Sequence, residues 1–306
     1  MQRTSNRVAF LGLLILCLAP TWLSAEESCD RAATLTRKSC RVQSRADYRL
    51  ELARCENLSV ESDRSSCRKE ARKILEDDLN SCEEQFQSRE EICKDLGGTP
   101  YDPFIDPLRF TTVIDNPYLP LIPGTTFIYE GSGGAEGKHV EVVVTGDTRT
   151  ILGVECVQVR DTVFEDGAVV EDTLDWYAQD DEGNVWYFGE AVLDYEDGYV
   201  FSIDGSFVAG ENRAKPGIIM PASPEPGDFY RQEFDISNAE DLAEVLGVDE
   251  SVIVPFGAFD HCLKNEEFAP LEPGIFEHKY YAPGIGNVLI VDLQSGDRTE
   301  LVEVIR

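Results

Sequence analysis

The chain has 306 residues, 58 of them acidic against 27 basic, for a formal net charge of −31. A field of that sign repels phosphate backbones and anionic headgroups, which argues against nucleic acid and unassisted membrane-surface binding and leaves cations and basic partners. The charge is unevenly placed, with 17 acidic and 14 basic residues over 26–97, but 41 and 11 over 98–306.

Residues 1–25 read as a secretory signal: a basic start with Arg3 and Arg7, an apolar run from Val8 to Pro20, and the exit Leu23-Ser24-Ala25. The apolar run is well short of the ~20 residues that span a bilayer, and no later segment comes close, so no integral membrane segment is expected after cleavage. Cys17 goes with the signal, leaving 8 of 9 cysteines in an oxidising compartment, periplasmic or extracellular.

Residues 26–97 read as a helical hairpin, rich in Arg, Glu, Lys, Ala and Leu and free of proline. Cys29 and Cys93, Cys40 and Cys82, and Cys55 and Cys67 lie at equal distances from residue 61. When two helices fold back about that point, equal sequence distances become equal heights, so the spacing predicts three nested disulfides. Steps of 11 and 15 residues keep Cys29, Cys40 and Cys55 on one broad helix face. Ser62 or Asp63 is the expected N-cap of the second helix.

Residues 98–122 form a proline-rich linker, and 123–306 an acidic β domain with two repeats, about 123–190 and 226–293. Pro123-Gly124 matches Pro226-Gly227, Trp176-Tyr177-Ala178 matches Tyr280-Tyr281-Ala282, and Gly183-Asn184-Val185 matches Gly286-Asn287-Val288. Short segments rich in Val, Thr and aromatics between turn residues predict antiparallel hairpins. The fold class is therefore α+β: a disulfide-linked hairpin followed by an antiparallel barrel or sandwich of eight to ten strands. Asn238 to Leu246 is the one helix expected inside it. Cys156 and Cys262 occupy equivalent repeat positions and are either joined to each other or buried as free thiols.

The run Gly257-Ala-Phe-Asp-His-Cys262, with Glu277-His-Lys-Tyr-Tyr-Ala-Pro-Gly-Ile-Gly286 and Asp175-Trp-Tyr-Ala-Gln179, resembles a group of uncharacterised secreted bacterial proteins that also carry a cysteine-rich helical front. The resemblance implies no established activity and no site residue.

Chemistry is sparsely marked. There is no Gly-x-Ser-x-Gly elbow, and histidine occurs only at His139, His261 and His278. A copper or zinc site from His261, Cys262 and His278 can be drawn against the plainer reading of surface histidines. The loop Asp180-Asp181-Glu182-Gly183-Asn184 offers oxygens to calcium, the one cofactor admitted, but lacks the spacing of a standard calcium loop. Trp176, Tyr177, Trp186, Tyr280 and Tyr281 are candidates to line an apolar ligand cavity, weighed against plain core. The leading expectation is an exported, non-catalytic binding or scaffold protein of the bacterial envelope, holding an apolar ligand or a protein partner. The alternatives are a metal- or carboxylate-dependent hydrolase and a structural calcium-binding envelope component.

Overall fold

The computed structural model describes residues 27–306, so the signal segment and Cys17 lie outside the described residues. Helix α1 (Glu27–Glu56) and helix α2 (Glu61–Asp95) pack antiparallel and are joined by the disulfides Cys29–Cys93, Cys40–Cys82 and Cys55–Cys67, with Cα separations of 5.6, 5.8 and 5.6 Å. Sulfur and small groups make up most of the buried hairpin, with Ala33, Cys55, Ala71, Cys82 and Cys93 buried beside the larger Phe86 and Ile92, while Leu35, Val42 and Leu50 face outward. The cystines therefore stand where a larger hairpin would carry aliphatic core. Bonds of this kind persist outside the reducing cytoplasm. Among the described residues no helix is long and apolar enough to cross a membrane.

The cap of α2 differs from expectation. Val60 is the N-cap residue and has no side-chain bond, while Ser62 donates to Asp63 inside the first turn. Glu61 and Asp63 complement the helix dipole there, and Arg64 ties the loop down by donating to the Leu58 carbonyl at 2.7 Å.

Residues 98–122 run against the β domain rather than hanging free of it. A 3-10 turn, Pro107–Arg109, leads into β1 (Phe110–Thr111), and Phe110 meets Trp186 and Phe188 edge-on with ring centroids 6.1 and 5.4 Å away. The strands continue as β2 (Thr126–Ser132), β3 (Lys138–Ile151), β4 (Val154–Glu165), β5 (Ala168–Asp180), β6 (Val185–Glu196), β7 (Tyr199–Ser202) and β8 (Phe207–Val208). After them come β9 (Lys215–Met220), β10 (Phe229–Arg231), β11 (Glu233–Phe234), β12 (Leu242–Val254), β13 (Gly257–Phe268), β14 (Glu277–Ala282), β15 (Gly286–Asp292) and β16 (Arg298–Ile305).

These form one antiparallel sheet in the order β10-β12-β13-β14-β15-β16-β2-β3-β4-β5-β6-β9-β11, with β1, β7 and β8 added at its side. The two ends of the path, β10 and β11, are separated in the chain by Gln232 alone, so the sheet curls into a nearly closed barrel. The curl is helped by bulges, two of which fall at Trp176/Tyr177 and at Tyr280/Tyr281. Where the ends meet, a Cβ on Gly217 would collide with the Gln232 carbonyl, so only glycine allows this closure.

The helix expected over Asn238 to Leu246 is absent. Residues from Leu242 onward belong to β12, which pairs with β10 on one side and β13 on the other. The interleaved acids and aliphatics suit both periods over nine residues, and two flanking strands offering backbone partners decide for the extended form. The path also holds more strands than the eight to ten expected, because short pieces such as β10 and β11 have no sequence length in which to show a pattern.

A two-chamber lumen as the candidate functional site

Side chains alternate across each strand, so every second residue of β4 and β5 points into the barrel. On β4 these are Val157, Val159, Asp161 and Val163; on β5 they are Glu171, Thr173, Asp175 and Tyr177. The lumen is consequently apolar at one end and acidic at the other. The apolar chamber has about 270 Å³ and is walled by Phe127, Val140, Val142, Val159, Val163 and Ile219, with Leu121 and Ile285 at its end. The acidic chamber has about 220 Å³ and gathers Asp161, Glu171, Asp175, Glu190, Glu233, Asp241 and Glu267 around one ammonium, Lys279. Asp161, Asp175, Tyr177, Ile219 and Lys279 line both.

Burial dominates the electrostatics. It pushes Asp161 and Glu190 up to about 7 from ordinary carboxylate values, and it holds Asp175 and Glu233 well above theirs, with neighbouring carboxylates adding to each shift. The Tyr187 hydroxyl lies 2.5 Å from Asp175 Oδ1 and 3.1 Å from Glu190 Oε2. Lys279 is desolvated, which opposes its charge, but Glu267 at 2.8 Å and Glu277 at 3.8 Å raise it well above the usual lysine value. Tyr281 also donates to Glu267, at 3.0 Å. In contrast, Glu233 Oε2, Asp161 Oδ1 and the Gln232 amide nitrogen have no partner. Asp241, exposed, stands at the chamber mouth.

Two of the five aromatic candidates belong to this lumen. Tyr177 and Tyr281 line it, and Tyr177 stacks on Tyr187 with centroids 4.7 Å apart. Trp176 and Trp186 point to the opposite face, into a second apolar cluster with Cys156 and Phe188, where Arg149 lies over the Trp176 ring at 4.3 Å. Tyr280 packs below Lys264 and does not line the chambers.

The possibility of a Cys156–Cys262 bond is corrected. Both are free buried thiols, Cys156 in the outer cluster and Cys262 in the barrel core, and layers on opposite sides of a sheet cannot share a disulfide. Nor do His261, Cys262 and His278 converge. His261 is exposed and bonded to Asp249, Cys262 is buried, and His278 meets Glu266. His139 pairs with Glu130 and Glu141 on the barrel exterior. In the loop Asp180 to Asn184, Asp180 accepts from the Glu182 and Asn184 amides, the Asn184 side chain and the Trp186 indole. Arg109 neutralises Asp181 and Glu182 in the same loop.

The arm docks beside the acidic mouth. Arg89 of α2 and Glu240, both nearly fully buried, form a bidentate pair at 2.6 to 3.2 Å, and Gln85 donates to the Leu271 carbonyl. An apolar cavity of about 290 Å³ remains between arm and barrel, with Arg231 stacked over Phe234 at 4.5 Å. Residues 231–241 thus face the arm through Arg231, Phe234 and Glu240 and the lumen through Gln232, Glu233 and Asp241.

The acidic chamber is not among the sites expected from the sequence. Its signal there is the run Glu171-x-Thr173-x-Asp175-x-Tyr177, polar positions on the same strand face as an aromatic already singled out. The signal is masked because in so acidic a domain single carboxylates carry no contrast.

Fold and site together define a class: a ligand-sized lumen in an antiparallel barrel bearing a disulfide-stapled helical arm. No protein-family model and no curated protein matches the chain. Among solved structures, a "putative lipoprotein" from Parabacteroides distasonis is similar at 15% identity and a TM-score of 0.35, covering 61% of this chain and 98% of that one. A likeness at that score carries no argument about fold or function.

Proposed function

We propose that the protein is an exported, non-catalytic binding protein of the bacterial envelope that holds a small ligand in its barrel lumen. The supporting observation is the pair of adjoining chambers that share Asp161, Asp175, Tyr177, Ile219 and Lys279. Their combined scale and their mix of apolar wall with a few unpartnered polar atoms are those of ligand sites, which run from about 300 to 1,000 Å³. The duplication read from the sequence supports the same picture, since the hairpins carrying Tyr177 and Tyr281 bring equivalent tyrosines to the lumen from both halves. The three disulfides suit the periplasm or the exterior, and the arm is read as the scaffold that displays the barrel to a partner. Native mass spectrometry of protein isolated from its own envelope tests this. A small non-covalent mass is expected on the wild type and not on Val163→Phe, whose ring fills the apolar chamber. Bare polypeptide, unchanged after incubation with envelope lipid and metabolite extracts, overturns the reading.

One observation favours a second reading, a carboxylate-dependent hydrolase. Asp175 and Glu190 are bridged by a single hydroxyl, which can donate to one of them while the other supplies its own proton, an arrangement of two neighbouring carboxyls of the kind general acid and base catalysis uses. Turnover of glycoside or ester substrates that is abolished by Glu190→Gln in a folded protein would establish it over the binding reading.

A further inference from the structure

We propose that the lumen is built for a cationic amphiphile, with an amine or guanidinium head among Asp161, Asp175, Glu190 and Glu233 and an apolar body against Phe127, Val140, Val159 and Ile219. This rests on the reading of the lumen as a ligand site and adds the chemistry of what enters it.

Charge balance within the acidic chamber favours a cation. Seven carboxyl groups line it, and its one ammonium, Lys279, is already engaged by Glu267 and Glu277. Lys138 lines the neighbouring chamber, and its charge opposes the upward shift of Asp161 and Glu171 without cancelling it. A cation entering here favours the ionised form of carboxyls that burial otherwise holds protonated, whereas an anion favours none of them.

Unsatisfied acceptors point the same way, independently of the count of charges. Glu233, only 6% exposed, aims an oxygen without a partner into the chamber, while the unpartnered atom of the adjoining Gln232 is an amide nitrogen, left for an acceptor on the ligand. Asp161 Oδ1 is a further acceptor with nothing to accept from. Buried acceptors without donors are costly, and N–H groups on a ligand head are what would satisfy them. Among the described residues no three of these carboxyls are grouped closely enough to hold a metal ion. A head that spreads several donors over a wider span fits this arrangement better than a compact ion does.

The wall between the chambers suits both parts of such a molecule. Tyr177 and Tyr187 stack at the junction, Tyr177 lining both sides, and aromatic faces attract cations while accepting an apolar body. The apolar chamber continues from this junction, so a head and a tail on one molecule are accommodated in sequence.

Octylamine, octanol and octanoate share a tail and differ in the head, so their binding to the full chain by calorimetry isolates the head. Octylamine is expected to bind about tenfold or more tighter than octanol, with octanoate unbound. Its binding at about pH 6 is expected to release protons, seen as a dependence on buffer ionisation enthalpy, because the head ionises carboxyls that burial keeps protonated. The groups facing it are Asp161, Glu171, Asp175, Tyr177, Tyr187, Glu190, Glu233, Asp241, Glu267 and Lys279, with Lys138 beyond. Glu233→Gln and Asp161→Asn are each expected to weaken octylamine several-fold and leave octanol unchanged. Octanol or octanoate binding as tightly as octylamine would defeat the cationic head while leaving the lumen a ligand site. No binding by any of the three, together with a ligand-free protein from the native envelope, would remove the site itself.

Discussion

The Tyr187 hydroxyl has one proton and two carboxyl neighbours, so it can donate to Asp175 or to Glu190 and the other acid must supply a proton of its own. That geometry and the raised affinities have the same cause, namely carboxyls removed from water without enough cations. The consequence for stability has a definite sign. Asp161 and Glu190 move from ordinary values of 3.8 and 4.5 to about 7, so between roughly pH 4 and 7 the native state holds protons that the unfolded chain has lost. Stability is present below that window and falls as pH rises through it. The melting temperature is expected to be several degrees higher near pH 5 than near pH 8, with Asp161→Asn and Glu190→Gln flattening the difference. A midpoint that climbs over this range would contradict the burial of these acids. Two further residues report on packing. Burial raises the Cys156 thiol to about 12 and the Cys262 thiol to about 11, so both should resist a thiol reagent in the native protein and titrate stoichiometrically in guanidinium.

At the scale of elements, the arm is held by covalent and ionic contacts more than by core. Removing the middle bridge with Cys40→Ser and Cys82→Ser is expected to cost the hairpin about 2 to 4 kcal/mol, read as loss of helical signal at lower denaturant while the barrel persists. Arg89→Ala leaves Glu240 buried without its cation and should destabilise the docked arm by about 3 to 5 kcal/mol in denaturant unfolding. The double change Arg89→Met with Glu240→Leu should recover much of that loss. The cysteine ladder was legible in the sequence because a helix converts residue number linearly into height. The stretch Asn238 to Leu246 was not, because nine residues with mixed periodicity take their form from β10 and β13, which lie on either side of β12. The thirteen-strand path was hidden for a related reason: two- and three-residue strands are defined by their partners alone.

For the whole molecule, the acid excess divides into two populations. Most carboxylates are solvated and keep the surface self-repelling, while one group is enclosed in the lumen. The loop Asp180 to Asn184 lies at the solvated surface, but its oxygens already serve the hairpin turn and Arg109. The thermal midpoint should therefore be the same with calcium and with a chelator, and a calcium-dependent rise would point to a cation site elsewhere. Composition, the mirror-image cysteines and the alternating strands were enough to determine the chemistry of the compartment, the stapled hairpin and the antiparallel β character, since each follows from local geometry or from counting. Which faces meet was decided only in three dimensions. Closure of the sheet at Gly217 turned acids from five strands and the adjoining loop toward one another, and no spacing along the chain encodes a meeting between residues as far apart as Asp161 and Lys279.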